Sequence, residues 1–389
     1  VSFGILLAIA LAGLGGPLLG LSERRFVPVV IGEIAAGVLV GKTGLEIVDP
    51  GEPTIAFLAE VGFAMLMLTA GMHLPLRDPR LAASLRGGAV LAAIVGVLAV
   101  PAGFAAAAIA GTSHAAVYAV VLASGSAAVL LPALQETKAE GPDVLAVMAQ
   151  VTIADVVTIL SVPIVLQPQR TVHAVIGAAL VAVAVAALYG VARLLVGRRW
   201  VDHLRRMSKQ RHWALDLRLS LLVLFLLAWI AQKSGTSVLI AGFGAGVTVA
   251  LIGGPKRLST QMRGVADGFF IPLYFVVLGA ELDLSGLVRD PAMIALTAAL
   301  AALNVAIHLM ATAIVRRPPS AGLTASAQLG VPAAVASLGL SAGVLSGTVA
   351  TAIVAAAVVS LGVCTLGVGR LIDGERGEHA AGPEAAART

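Results

Sequence analysis

Asp143-Val-Leu-Ala-Val-Met-Ala-Gln150-Val-Thr152-Ile-Ala-Asp155-Val-Val-Thr158-Ile-Leu-Ser-Val-Pro163-Ile-Val-Leu-Gln167 is an apolar run with a carboxylate at its centre. About 20 apolar residues are the length of a helix that crosses a bilayer. Backbone groups in lipid must satisfy one another within the segment, so the run predicts a helix and not a strand. Runs of this kind recur along the whole chain. We read thirteen, at approximately 2–20, 27–41, 54–76, 87–111, 115–135, 143–167, 172–196, 215–233, 236–252, 267–281, 291–315, 321–345 and 348–371. With 59% hydrophobic and 12% charged residues, the 389-residue chain has too little charge to cover a soluble surface. The predicted fold class is an all-α polytopic membrane protein of about 13 transmembrane helices.

The same composition excludes several classes. One cysteine, Cys364, permits neither an internal disulfide nor a cysteine-based metal site, and it reads as small apolar filler. No G-x-x-x-x-G-K-[ST] loop occurs, so ATP-driven pumping is unsupported. Gly242, Gly244 and Gly246 alternate inside an apolar segment with no strand before it, which fits close helix packing and not a nucleotide loop. We predict no enzymatic activity and no cofactor. The first run lacks a basic leader and a small-residue cleavage site, so it is read as a membrane helix.

The net charge of +5 sits in short loops, which points to membrane orientation and not to nucleic acid. Placing the first loop in the cytoplasm leaves Lys42, Arg170, Lys233 and Arg289 outside and the other twenty-two of the 26 basic residues inside. The N-terminus is then predicted outside and the C-terminus cytoplasmic, in a bacterial inner membrane. The longest polar loop, from Gly197 to about Asp216, holds Arg198, Arg199, Arg205, Arg206, Lys209 and Arg211. It reads as an orientation signal or as a contact for anionic lipid. It also divides the transmembrane domain, residues 1–372. Repeat 1 covers about 1–167, a connector helix 172–196 and repeat 2 about 215–371, with residues 373–389 as a short disordered tail. Six segments after seven crossings start from the opposite side. The repeats are therefore inverted, as in many secondary transporters, whose sites lie where the repeats meet.

Two segments are predicted to break at membrane depth. Ala123-Ser124-Gly125-Ser126-Ala-Ala-Val-Leu-Leu-Pro132 and Gln328-Leu-Gly330-Val-Pro332, followed by Ser337-Leu-Gly339, each combine small, polar and proline residues. Such breaks free backbone groups and are tolerated only around a protein-lined or wet cavity. Gly125, Pro132, Gly330 and Pro332 are the break candidates.

Asp155 carries the functional reading. A carboxylate at the bilayer centre costs about 2.5–3.5 kcal/mol on insertion scales, so it marks an ion or proton pathway by default. Thr152 and Thr158 lie three residues to either side and share its face. A proton and a partly dehydrated cation compete for the same oxygens. That exclusion is sufficient chemistry for exchange. Glu33, Glu60 and Gln150 are secondary candidates. His308 is a lone imidazole that, protonated, could balance the C-terminal dipoles of broken helices.

Several stretches resemble the monovalent cation–proton antiporter superfamily, in its second branch of Kef-type and bacterial sodium–proton exchangers. Val30-Ile-Gly-Glu-Ile-Ala-Ala-Gly-Val-Leu-Val-Gly41 is similar to its early Gly-Glu…Gly…Gly helix, and Leu58-Ala-Glu-Val-Gly62 to its next. Ala123–Pro132 resembles the Ser/Thr-rich broken helix. Phe269-Phe-Ile-Pro-Leu-Tyr-Phe275 resembles the late Phe-Phe-x-Pro motif. The resemblance implies crossed broken helices, a homodimer in lipid, and a mobile core that carries the site by an elevator-like motion. It implies Asp155 as the ion-binding aspartate, Ser124 and Ser126 on the matching broken helix, and His308 about where the family often has Lys or Arg. The chain has Ala154-Asp155 where relatives have two acids or Asn-Asp. One carboxylate makes electroneutral exchange of a monovalent cation, sodium or potassium, for a proton the simpler expectation. A channel-like cation pathway on the same scaffold and an organic anion carrier are the alternatives.

Overall fold

The computed structural model describes residues 2–20, 29–73, 79–127, 130, 134, 141–195, 198–211, 213–252 and 256–381. Among these residues the secondary structure is helical and no strand occurs. In chain order the helices are α1 (Phe3–Gly13), α2 (Gly15–Gly20), α3 (Val29–Val40), α4 (Pro53–His73), α5 (Pro79–Ala110) and α6 (Ala115–Ala123). Then come α7 (Pro142–Leu166), α8 (Thr171–Leu195), α9 (Arg199–Gln210), α10 (Leu215–Ser234), α11 (Val238–Ile252) and α12 (Lys256–Val265). The last are α13 (Ile271–Glu281), α14 (Leu284–Arg289), α15 (Pro291–Ile314), α16 (Pro319–Ala325), α17 (Gly330–Ser341) and α18 (Gly347–Ala381). Nine stretches of the described residues are long and apolar enough to cross a membrane, and Phe3–Leu19, Val29–Val40 and Val238–Ile252 are shorter apolar helices. With the interrupted segment that begins at α6, they occupy the thirteen predicted runs.

The chain divides into two compact units. Unit 1 holds the described residues within 1–18, 32–77 and 167–281. Its core gathers Ile9 and Ala12 of α1, Ile55 and Ala59 of α4, and Leu273, Val276, Val277 and Ala280 of α13. Glu52 precedes α4 and accepts from the amides of Ile55 (2.9 Å) and Thr54 (3.0 Å). The Ile55 amide leads in holding this carboxyl below its ordinary range. Ahead of α13, Ala266–Phe270 forms one turn of π-helix, in which Ile271 N–H donates to Ala266 O. Pro272 follows at once and has no N–H to continue the ordinary ladder.

α4 and α11 pack backbone to backbone through glycine. A Cβ at Gly246 would lie 2.1 Å from Leu68 O, and one at Gly71 would lie 2.5 Å from Phe243 O. This is the small-residue packing predicted for Gly242–Gly246. Gly246→Ala is expected to force the two helices apart and cost about 1–3 kcal/mol. A lowered melting temperature in detergent would register it; an unchanged one would remove the contact from the fold's stability.

Unit 2 holds the described residues within 19–31, 78–166 and 282–389. Here α5 packs on α6, α7 and α15, and α18 packs on α15, α16 and α17. Cys364 is buried as filler, with its thiol 3.3 Å from Thr324 O.

Two expectations need correction. The polar loop after α8 is not all loop, because Arg199–Gln210 folds as a helix. Its apolar residues fall on one side at helical spacing, and that pattern was hidden by the count of charges. The tail does not become irregular at 373, because α18 runs on to Ala381. Extending an existing helix costs little per residue, and no proline intervenes before Pro383. Residues 382–389 lie outside the described residues.

Candidate functional site

α6 stops at Ala123, and Ser124, Gly125 and Ser126 are not helical. Helical backbone resumes at Ala127, with Leu130 N–H donating to Ser126 O at 3.0 Å. This is the first predicted interruption. Glycine is required at its centre, since a Cβ at Gly125 would stand 2.8 Å from Val151 Cγ1 on α7. Pro132 lies outside the described residues.

The second interruption lies earlier than predicted. Residues 326–329 separate α16 from α17, and Gly330 and Pro332 fall in the first turn of α17. A proline is tolerated there because first-turn N–H groups have no partner within the helix. Ser337 and Gly339 are helical.

Asp155 sits at the middle of α7, 6% exposed, and its Oδ2 accepts from Ala127 N–H at 2.8 Å. That amide is the first of the resumed helix, where the positive end of the helix dipole favours an anion. The carboxylate of one helix therefore seals the interruption of another.

Around it the candidates divide. Ser124 Oγ donates to Val121 O at 2.7 Å and Thr158 Oγ1 donates to Ala154 O at 2.6 Å, so both hydroxyl protons go to their own helices. Ser126 is buried. Thr152 Oγ1 and Gln150 Oε1 are buried with no hydrogen-bond partner among the described residues. Unpaired oxygens in such a place are expensive unless a proton, a water or a cation meets them.

A second cluster ties the interruptions together, and the sequence reading missed it. Gln328 Nε2 donates to Val121 O (2.7 Å) and to Asn304 Oδ1 (2.8 Å). Asn304 Nδ2 donates to Ser326 O (2.8 Å) and Ser360 Oγ (3.0 Å). Val121 O and Ser326 O are carbonyls at the C-terminal ends of the first half of each interrupted helix, past the regular helical ladder, and Val121 O also accepts from the Ser124 N–H and hydroxyl. Two neutral amides therefore meet both negative helix ends. A polar residue on each of two facing segments was the available signal. His308 is also buried, but its Nδ1 pairs with Asn304 O at 2.8 Å within α15. The contacts to the interruptions come from Asn304, one turn earlier, and not from the imidazole.

Glu33 and Glu60 belong to unit 1. Glu33 is buried, with its Oε2 lacking a hydrogen-bond partner among the described residues, and Glu60 accepts from Gln232 Nε2 at 3.3 Å. No group of three or more His, Cys, Asp or Glu side chains that could hold a metal occurs among the described residues.

A sequence model of the family described as sodium/hydrogen exchanger, transmembrane, matches residues 6–373. The candidate Na+/H+ antiporter YjbQ of Bacillus subtilis is 24% identical over 287 residues, which cover 68% of this chain and 45% of the relative. The chain thus spans under half of that protein's length. The high-affinity Na+/H+ antiporter NhaS3 of Synechocystis sp. is 24% identical over 342 residues, covering 75% of this chain and 70% of the relative. Among solved structures, the sodium proton antiporter MjNhaP1 from Methanocaldococcus jannaschii at pH 8 is similar with a TM-score of 0.65 at 15% identity. That likeness, over 95% of this chain and 98% of the other, is one of fold.

Proposed function

The chain belongs to the sodium/hydrogen exchanger family, and from that premise we propose that it is a secondary antiporter exchanging a monovalent cation for a proton by alternating access. It is an integral membrane protein. The observation that carries the proposal is Asp155, a buried carboxylate held by one backbone amide at an interrupted helix. Such a group is stable when a proton or a cation neutralises it and costly when neither does. An empty, charged site is therefore the least favourable species to carry across the barrier. Coupling follows, because each half-cycle proceeds with the site filled by one or the other ion.

Thr152, Gln150 and Ser126 are proposed to offer oxygens to the cation, and Ser124 and Thr158 to hold the backbone on either side. Ala154 leaves a single acid at the position, which supports one-for-one, electroneutral exchange. The charge division of the loops supports an N-terminus outside and a C-terminus in the cytoplasm of a bacterial inner membrane. The homodimer, its setting in membrane lipid and an elevator-like motion of the site are proposed from the family resemblance.

The test is transport in proteoliposomes loaded with a pH-sensitive dye. Addition of sodium, potassium or lithium in turn is expected to drive proton movement for at least one cation, with no net current. Proton flux that needs no counter-ion gradient would point to an uncoupled pathway instead. Cation-independent flux driven by a carboxylate gradient would point to an anion carrier.

A further inference from the structure

Neither the interrupted helices nor Asp155 explains α9. Its residues, Arg199-Trp-Val-Asp-His-Leu-Arg-Arg-Met-Ser-Lys-Gln210, lie between the spanning helices α8, which ends at Leu195, and α10, which starts at Leu215. Links of three and four residues, at about 3.5 Å per Cα step, cannot carry α9 more than about 18 Å from the ends of its neighbours. It must lie at the membrane surface, on the side that the loop charges assign to the cytoplasm.

α9 has three distinct sides. Ser208 is buried and ties the helix down: its Oγ accepts from Leu215 N–H and its O from Trp213 N–H, both at 3.1 Å. Val201, Leu204 and Met207 are half-buried toward the same side. Arg199, His203, Arg206 and Gln210 share the opposite, exposed face. Between them Trp200 is 58% exposed, a large indole that the protein itself leaves uncovered. Just past the helix, Trp213 is 37% exposed, with the Arg211 guanidinium 5.5 Å from its ring centre. Arg198 Nε turns back to Leu194 O, at 3.3 Å.

We propose that α9 is an interfacial helix that binds anionic phospholipid, with Trp200 and Trp213 at the headgroup–acyl boundary and the arginine face on the phosphates. Indole is favoured at that depth because one edge is apolar and the ring N–H is polar. Guanidinium matches phosphate in charge and in paired hydrogen bonds. Lying flat, the helix satisfies both at once, as amphipathic surface helices do. An orientation signal needs only the positive charges; it does not need exposed indoles beside them.

The three tryptophans allow a direct test. In the full-length Trp229→Phe protein, Trp200 and Trp213 report alone. The protein is reconstituted in phosphatidylcholine vesicles with or without phosphatidylglycerol, with bromine on the acyl chains of one lipid at a time. Quenching is expected from bromines near the carbonyls, and it should be stronger when the same fraction of bromine is carried by phosphatidylglycerol. Arg199→Gln/Arg206→Gln/Arg211→Gln should abolish that preference, and the matching triple Lys variant should keep it. Water-exposed, unquenched emission in every vesicle would overturn the proposal. So would equal quenching by the two lipids, or a preference that survives the triple Gln change.

Discussion

Asp155→Asn is expected to reduce cation-driven proton movement to that of protein-free vesicles while leaving the protein folded. The substitution keeps size and shape. The side-chain carbonyl can still accept from Ala127 N–H, so the junction between α7 and the first interruption stays closed. What the amide loses is the ability to take up and release a proton and to neutralise a bound cation. Both arms of the exchange fail together, and so a reduced turnover with an unchanged cation affinity is not expected. Stability should move in the other direction. A buried carboxylate with a single amide donor is a cost in the empty state, and a neutral group removes it. The melting temperature of Asp155→Asn should therefore equal or exceed that of the wild type. Loss of transport with unfolding would show a structural role only. Undiminished exchange in the folded variant would remove Asp155 from the mechanism.

The two halves of this expectation differ in how readable they were from the sequence. That Asp155 is buried at mid-helix followed from one charge in an apolar run, since nothing else forces a carboxylate to that depth. The interruption at Ser124–Ser126 followed as well, because Gly125 and two hydroxyl residues favour irregular backbone. The second interruption was misplaced. Gly330 and Pro332 read as breakers, yet both suit the first turn of a helix. The backbone opens at 326–329 instead, where Ser326 O is met by a long-range hydrogen bond from Asn304. A neutral amide at membrane depth is far cheaper than a charge, so Asn304 does not stand out in an apolar run. His308, being ionisable, does stand out. Its partner proves to be its own helix. Local chemistry thus gave the elements and the acid, whereas the contacts that join distant segments needed the fold.

Those contacts set the second large effect, expected at the Asn304–Gln328 pair. Gln328→Leu removes the donor to Val121 O and the donor to Asn304 Oδ1. Val121 O keeps the Ser124 hydroxyl, so its loss is partial. Asn304 Oδ1 loses a buried donor. Asn304→Ala removes the donors to Ser326 O and Ser360 Oγ and opens a small cavity as well. Each stranded acceptor costs about 1–3 kcal/mol, so either change should lower the melting temperature clearly in detergent. Because the two amides share a hydrogen bond, the double variant should be less damaging than the sum of the singles. The functional consequence runs through geometry. Val121 O precedes the interruption that ends at Ala127 N–H, and Ala127 N–H fixes Asp155. Loosening the amide pair lets that donor drift from the carboxylate. The cation concentration for half-maximal exchange should then rise more than maximal turnover falls, and Gln328→Glu, which cannot donate when ionised, should behave like Gln328→Leu. Additive melting shifts, or singles with wild-type melting and wild-type cation dependence, would show that the two interruptions are held by something other than this pair.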